Sequence, residues 1–122
     1  VYHVCRSIWE MRAKNILAAA WSWVDETTGV VTDTDIFFNT SHKWAVNDGG
    51  LAGSAVCGDP DRFDIGNVFT HELGHPVGVA HSDDANDSGR RATMAPTASK
   101  GEVRKTTLAD YDLNGMDALY GP

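Results

Sequence analysis

His71, Glu72, His75, Gly78 and His81 stand at the spacing HExxHxxGxxH. Histidines four apart on a helix lie one turn apart on one face, close enough for two imidazoles to hold one cation. Glu72 follows the first His by one residue, which puts it beside such a cation, where a carboxylate can take a proton from bound water. Gly78 opens backbone conformations closed to other residues, so His81 can turn back toward the same ion as a third ligand. Three His ligands leave the fourth tetrahedral position of zinc open for water, and an open position belongs to catalysis rather than to a structural site. Zinc there would lower the pKa of the water and polarise a carbonyl while Glu72 relays the proton. A lone His on a helix is ordinarily a hydrogen-bonded or exposed side chain, and His3 and His42 are read that way. Chance alignment of three ligands, a base and a glycine is a far poorer account of the full motif.

The elements that must position these groups can be traced along the chain. Ile65, Val68, Phe69, Leu73 and Val77 recur at helical spacing over Asp64 to Gly78, with Asp64 as N-cap and Gly78 as C-cap. Upstream, Ile8, Met11, Ile16, Leu17, Ala20, Trp21 and Val24 predict a helix over Ile8 to Asp25, reinforced by Ala18–Ala20 and stopped by Thr27-Thr28-Gly29. Val1 to Cys5 reads as a short strand, Val30 and Val31 as the start of another, and Asp35–Asn39 as a separate one bounded by polar turn residues on either side. Thr40 to Asp61 reads as loops and short edge strands, and residues 79–107 as a long functional loop. A last helix is expected from Leu108 to Leu119, capped by Thr106 or Thr107, with Leu113, Met116 and Leu119 facing inward. The order strand, helix, strands, helix, loop, helix predicts one α+β domain over residues 1–122.

Composition narrows the function classes. The 122 residues carry 10 Lys plus Arg against 17 Asp plus Glu, a formal charge of -7, and that surface repels phosphate backbones, so no nucleic acid partner is expected. The same acidity disfavours acidic substrates. Ile16 to Val24, the longest mostly apolar stretch, falls far short of the roughly 20 residues that cross a bilayer, which predicts a soluble chain without a membrane partner. Val1 opens the sequence with neither Met nor signal peptide, so a processed or trimmed piece of a longer precursor is expected.

The HExxHxxGxxH motif, the Ser82 that follows its last His, the run Ala92-Thr93-Met94-Ala95-Pro96 and the closing Leu108–Gly121 stretch together resemble the metzincin metalloproteases, in their matrixin-like branch. The Asp35–Thr40 and Phe63–Ile65 segments resemble those of bacterial members, and the resemblance covers residues 8–121. It implies a small zincin domain with a twisted mixed sheet packed on an N-terminal helix and on the zinc-binding helix, and a C-terminal helix after the Met-turn. It implies a secreted, monomeric zinc endopeptidase acting on peptide or protein substrates, with His71, His75 and His81 as ligands and Glu72 as general base and acid. Met94 is implied as the Met-turn support beneath the zinc, and a hydrophobic S1′ pocket is implied partly in the loop after it. Substrates would lie extended along an edge strand, expected near Phe37 to Asn39. The alternatives are a zinc-binding module that no longer cleaves and a partner-binding domain.

Several positions depart from the family pattern. Pro76 follows the second ligand, cannot donate to the carbonyl of Glu72 and is expected to kink the last helical turn. Tyr111 stands where many matrixins have the first of two acidic residues, and Asp112 keeps the second role. The chain is short before the zinc helix and is expected to lack the loop that carries structural zinc and calcium in animal matrixins. Asp83, Asp84, Asn86 and Asp87 form a cluster of oxygen donors suited to calcium, which an acidic solvated loop explains equally well. Cys5 and Cys57 allow one intramolecular pairing, and an extracellular enzyme implies a disulfide, two buried thiols being the alternative.

Overall fold

A computed structural model describes residues 15–46, 58–82 and 92–121. The expected strand at Val1–Cys5, both cysteines and the Asp83–Asp87 donor cluster lie outside these residues, as does the first part of the expected N-terminal helix.

Strand β1 (Ala18–Val24) pairs antiparallel with β2 (Val31–Phe38), and β3 (Trp44–Ala45) pairs parallel with β4 (Phe63–Asp64). Helix α1 (Ile65–Gly74) follows β4 directly, and after a 3-10 turn at Arg104–Thr106 the chain ends in helix α2 (Asp110–Tyr120). The architecture is α+β, with both senses of strand pairing present.

Residues 18–24 correct the helical reading of Ile8 to Asp25. They form a strand in which Ala18, Ala20 and Ser22 are buried on one face, and Ala19, Trp21 and Trp23 alternate on the other. Alanine's helix propensity is worth only tenths of a kcal/mol per residue, and cross-strand pairing with Phe38, Ile36 and Thr34 outweighs it. Ser22 Oγ and Thr34 Oγ1 lie 3.0 Å apart across that pair. Thr27-Thr28-Gly29, expected as a helix stop, is the hairpin turn. The Asp25 carboxylate accepts from the backbone N–H groups of Thr27 and Thr28, and Gly29 sits at φ +72°. The amides of Thr28 and Thr27 hold the Asp25 carboxyl below its usual pKa.

Helix α1 starts where the sequence places it. Asp64 Oδ1 accepts from Asn67 N at 2.6 Å, a buried N-cap bond. The helix ends at Gly74, four residues before the expected Gly78, with His75 as its cap. Pro76 has no N–H for the Glu72 carbonyl, so that carbonyl accepts from His75 N instead, at 3.3 Å. Of the apolar positions on α1, Val68 is buried, whereas Phe69 and Leu73 are exposed.

In α2, Ala109 occupies the cap position in place of Thr106 or Thr107, and its N–H donates to Asp112 Oδ2 at 2.6 Å. Leu113 and Leu119, expected to face inward, are 47% and 53% exposed. Asp112 is the buried residue of this helix among those described, and Tyr120 Oη ties its last turn to the rest of the fold by donating to Val77 O at 2.7 Å. Among the described residues, the buried apolar ones, Ala18, Ala20, Val68, Ala92, Met94, Ala95, Val103 and Ala109, are mostly small, and polar groups such as Asn67, Thr93 and Lys105 are buried with them.

Candidate metal centre

His71 and His75 project from the last turn of α1, and His81 arrives after the chain reverses at Gly78, whose φ is +93°. The turn is closed by Gly78 N donating to the carbonyl of His75 and Val79 N to that of Gly74, both at 2.9 Å. Pro76 ends the helix but leaves His75 in helical geometry at φ -64°, ψ -51°. The three rings lie with centroids 5.1, 5.1 and 4.9 Å apart, and one nitrogen from each falls within 4.8 Å of the others.

Hydrogen bonding selects the nitrogen that His71 can offer. Its Nδ1 lies 2.9 Å from the carbonyl oxygen of Thr93, which can only accept, so Nδ1 carries the proton and Nε2 keeps its lone pair. Burial lowers the His71 pKa from 6.5 to about 4, against the opposing pull of the Thr93 carbonyl. At neutral pH this ring is therefore an uncharged donor, the form that a metal ion requires. Three imidazoles of graded exposure, one of them oriented from behind, fit a zinc ion.

The sequence holds no local signal for Thr93 as the orienting partner beyond its place beside Met94. The run Ala92–Pro96 turns beneath the helix, with Ala95 N donating to Ala92 O at 3.1 Å. Met94, 2% exposed, packs against Gly74 so closely that a Cβ there would lie 2.2 Å from its sulfur. Its carbonyl accepts from Ser82 N at 3.0 Å, which ties the turn to the segment carrying His81. Asp112 holds the turn from the far side, with Oδ2 accepting from Thr93 N at 2.9 Å and Oδ1 from Met94 N at 3.3 Å.

A cavity of about 630 Å³ contains His71, Glu72, His75 and His81 in its wall. Glu72 is 7% exposed there. One side is formed by Ile16–Ala20, at and before the start of β1, and another by Pro96, Thr97 and Ala98 after the Met94 turn. The strand beside the site is thus β1, and not the Phe37–Asn39 segment expected from sequence. Asn39 braces that wall from behind, donating from Nδ2 to Ile16 O and from its backbone N to Leu17 O, each at 2.8 Å. His42, read as a bystander, also lines the cavity and meets the Phe63 ring edge-on at 5.4 Å, its buried Nε2 without a hydrogen-bond partner among the described residues. Lys105, which the sequence did not single out, lines it as well.

The matrixin family model matches residues 12–121. Human (Homo sapiens) matrilysin is 35% identical over 80 residues, 59% of this chain and 28% of that protein. Metalloendoproteinase 1 of Glycine max is 36% identical over 90 residues, 74% of this chain and 26% of that protein. Human matrix metalloproteinase-20 is 32% identical over 88 residues, 72% of this chain and 15% of that protein. The chain thus spans well under a third of the length of these relatives, and no solved structure matches it.

Proposed function

The chain belongs to the matrixin family, and from that membership we propose that it is a zinc-dependent endopeptidase hydrolysing peptide bonds of extended protein or peptide substrates. The observation that carries this reading is the convergence of His71, His75 and His81 in a cavity that Glu72 also lines. The imidazoles of His71, His75 and His81 would hold the zinc ion, which would supply acidification of a water molecule and polarisation of the scissile carbonyl. Glu72 accepts the proton of the attacking water and passes it to the leaving amine. The Thr93 carbonyl holds His71 in the tautomer that presents Nε2, and Met94 supports the helix from below.

The substrate's place follows from the strand order. β2 occupies one edge of β1, and among the described residues no strand occupies the other. An extended peptide laid against the cavity-lining start of β1 satisfies its backbone groups there and brings a peptide bond to the histidines. Among the described residues no helix is long and apolar enough to cross a membrane, and a secreted, monomeric enzyme is part of the proposal from family membership alone. Calcium at Asp83, Asp84, Asn86 and Asp87 and a Cys5–Cys57 disulfide belong to the same reading. The disulfide is tested by mass with and without reductant.

The deciding experiment is digestion of an internally quenched peptide library by the wild type and Glu72→Gln at equal zinc content. Cleavage at internal bonds is expected for the wild type, with Glu72→Gln reduced by at least about a hundredfold. A wild type that holds zinc and cleaves nothing supports the zinc-binding module instead.

A further inference from the structure

The hairpin from Ala18 to Phe38 holds four acidic residues, Asp25, Glu26, Asp33 and Asp35, and neither Lys nor Arg. The pairing of β1 with β2 sorts two of them onto one face. Residues directly opposite in an antiparallel pair point to the same side, so Trp21 stands beside Asp35 and Trp23 beside Asp33. Ala18, Ala20 and Ser22 take the other, buried side, where Ser22 Oγ meets Thr34 Oγ1. On the outer face the two indoles adjoin, with centroids 6.1 Å apart and planes tilted by 39°, and both are half-buried. Asp33 and Asp35 are exposed. Asp33 Oδ1 accepts from Thr34 N at 2.8 Å, and neither carboxylate forms an ion pair among the described residues. Two indole rings flanked by two carboxylates without a counter-ion suit a cation, which ring quadrupole and carboxylate attract together.

We propose that this outer face selects Lys or Arg side chains of the substrate, at alternate positions on one side of the scissile bond. The assignment rests on the endopeptidase reading above, in which an extended peptide lies along the free edge of β1. Ile16–Ala20 line the cavity with the histidines, so a peptide that continues along β1 leaves the cavity and passes Trp21 and then Trp23. Its side chains alternate, and every second one falls on the outer face. Two strand spacings, about 9.6 Å, separate that peptide from β2, which carries the carboxylates. A Lys or Arg stem laid over the intervening indole spans most of the gap and brings its charge to Asp35 or Asp33. The residues between point to the opposite face and gain nothing from it. The net charge of -7 favours basic substrates wherever the base stands, whereas this face distinguishes one position from the next.

The test moves a single Lys, one residue at a time, along an uncharged peptide drawn from the library, and compares each position with Ala. In the wild type kcat/KM is expected to rise about three- to tenfold, through KM, at two positions spaced two residues apart, with the position between them near the Ala value. Asp33→Asn/Asp35→Asn removes the rise, and Asp35→Lys turns the preference at one of the two positions to Glu. No rise at any position overturns the proposal, as does an equal rise at every position, which marks attraction by net charge alone. A rise that survives in Asp33→Asn/Asp35→Asn overturns it too. Should a variant fail to fold, the spacing found in the wild type decides. If the wild type cleaves none of the peptides, the endopeptidase reading fails by itself. The face is then read by fluorescence anisotropy of two labelled peptides, with Lys or Ala at alternate positions, on the zinc-loaded wild type and Asp33→Asn/Asp35→Asn. Tighter binding of the Lys peptide by the wild type alone supports the proposal. Equal binding of the two peptides, or a Lys preference kept by the variant, overturns it.

Discussion

Replacing Gly74 by Ala tests the contact between α1 and the Met94 turn. A Cβ at position 74 would lie 2.2 Å from Met94 Sδ and 2.8 Å from its Cε, so the thioether must move. Overpacking of this kind costs about 1–3 kcal/mol. An apolar cavity of about 290 Å³ beside Met94, walled by Leu73, Val77 and Met116 among others, gives the displaced end some room and favours the lower part of that range. Ala gains up to about 1 kcal/mol over Gly inside a helix, and less at its last residue. The net expectation is a loss of about 1 kcal/mol for Gly74→Ala with Met94 in place. In a Met94→Ala background, itself destabilised by about 2–5 kcal/mol, the obstacle is gone, and Gly74→Ala becomes stabilising by some tenths of a kcal/mol. The cycle therefore predicts a coupling of about 1–2 kcal/mol and a change of sign. Urea unfolding of the four proteins at one zinc concentration measures it. Equal effects of Gly74→Ala in both backgrounds would refute the claim that position 74 is kept small by Met94.

Other perturbations probe the rest of the support. Asp112→Asn removes the charge that accepts from Thr93, Met94 and Ala109 and turns an amide donor toward one of those N–H groups, so a loss of about 2–4 kcal/mol is expected in urea unfolding. A loss below about 0.5 kcal/mol would show that the carboxylate does not hold the turn. For the metal-free protein, the His71 pKa of about 4 against 6.5 unfolded means that the unfolded chain binds more protons between those values. Stability from this group is full above pH 6.5 and is lost as pH falls toward 4, by about 2 kcal/mol. Unfolding midpoints in chelator at pH 7 and 4.5 should converge between the wild type and His71→Gln, and parallel losses in the two would contradict the assignment.

Features set by short-range spacing were legible in the sequence. His71 and His75 share a helix face by periodicity, Asp64 caps that helix through its own side chain, and Gly78 supplies the left-handed turn that returns His81. Features set by contacts distant in sequence were not. Ala18–Ala20 have strong helix propensity, and only their pairing with β2 makes them a strand. The end of α1 was placed too late because the apolar spacing continues through Val77, although Pro76 withholds the N–H needed to extend the helix. Lys105 sits in a polar run that reads as solvated loop, and its burial arises from Asn67 and from two carbonyls eight and ten residues earlier.

In the proposed function, His71, His75 and His81 jointly bind one zinc ion and leave a position open for water. Zinc-edge X-ray absorption on the protein loaded with one equivalent of zinc tests it most directly. The expected spectrum shows three nitrogen ligands at about 2.0–2.1 Å with one further oxygen, and loss of one nitrogen in each of His71→Ala, His75→Ala and His81→Ala. A sulfur ligand, or a wild-type spectrum unchanged by those substitutions, would contradict it.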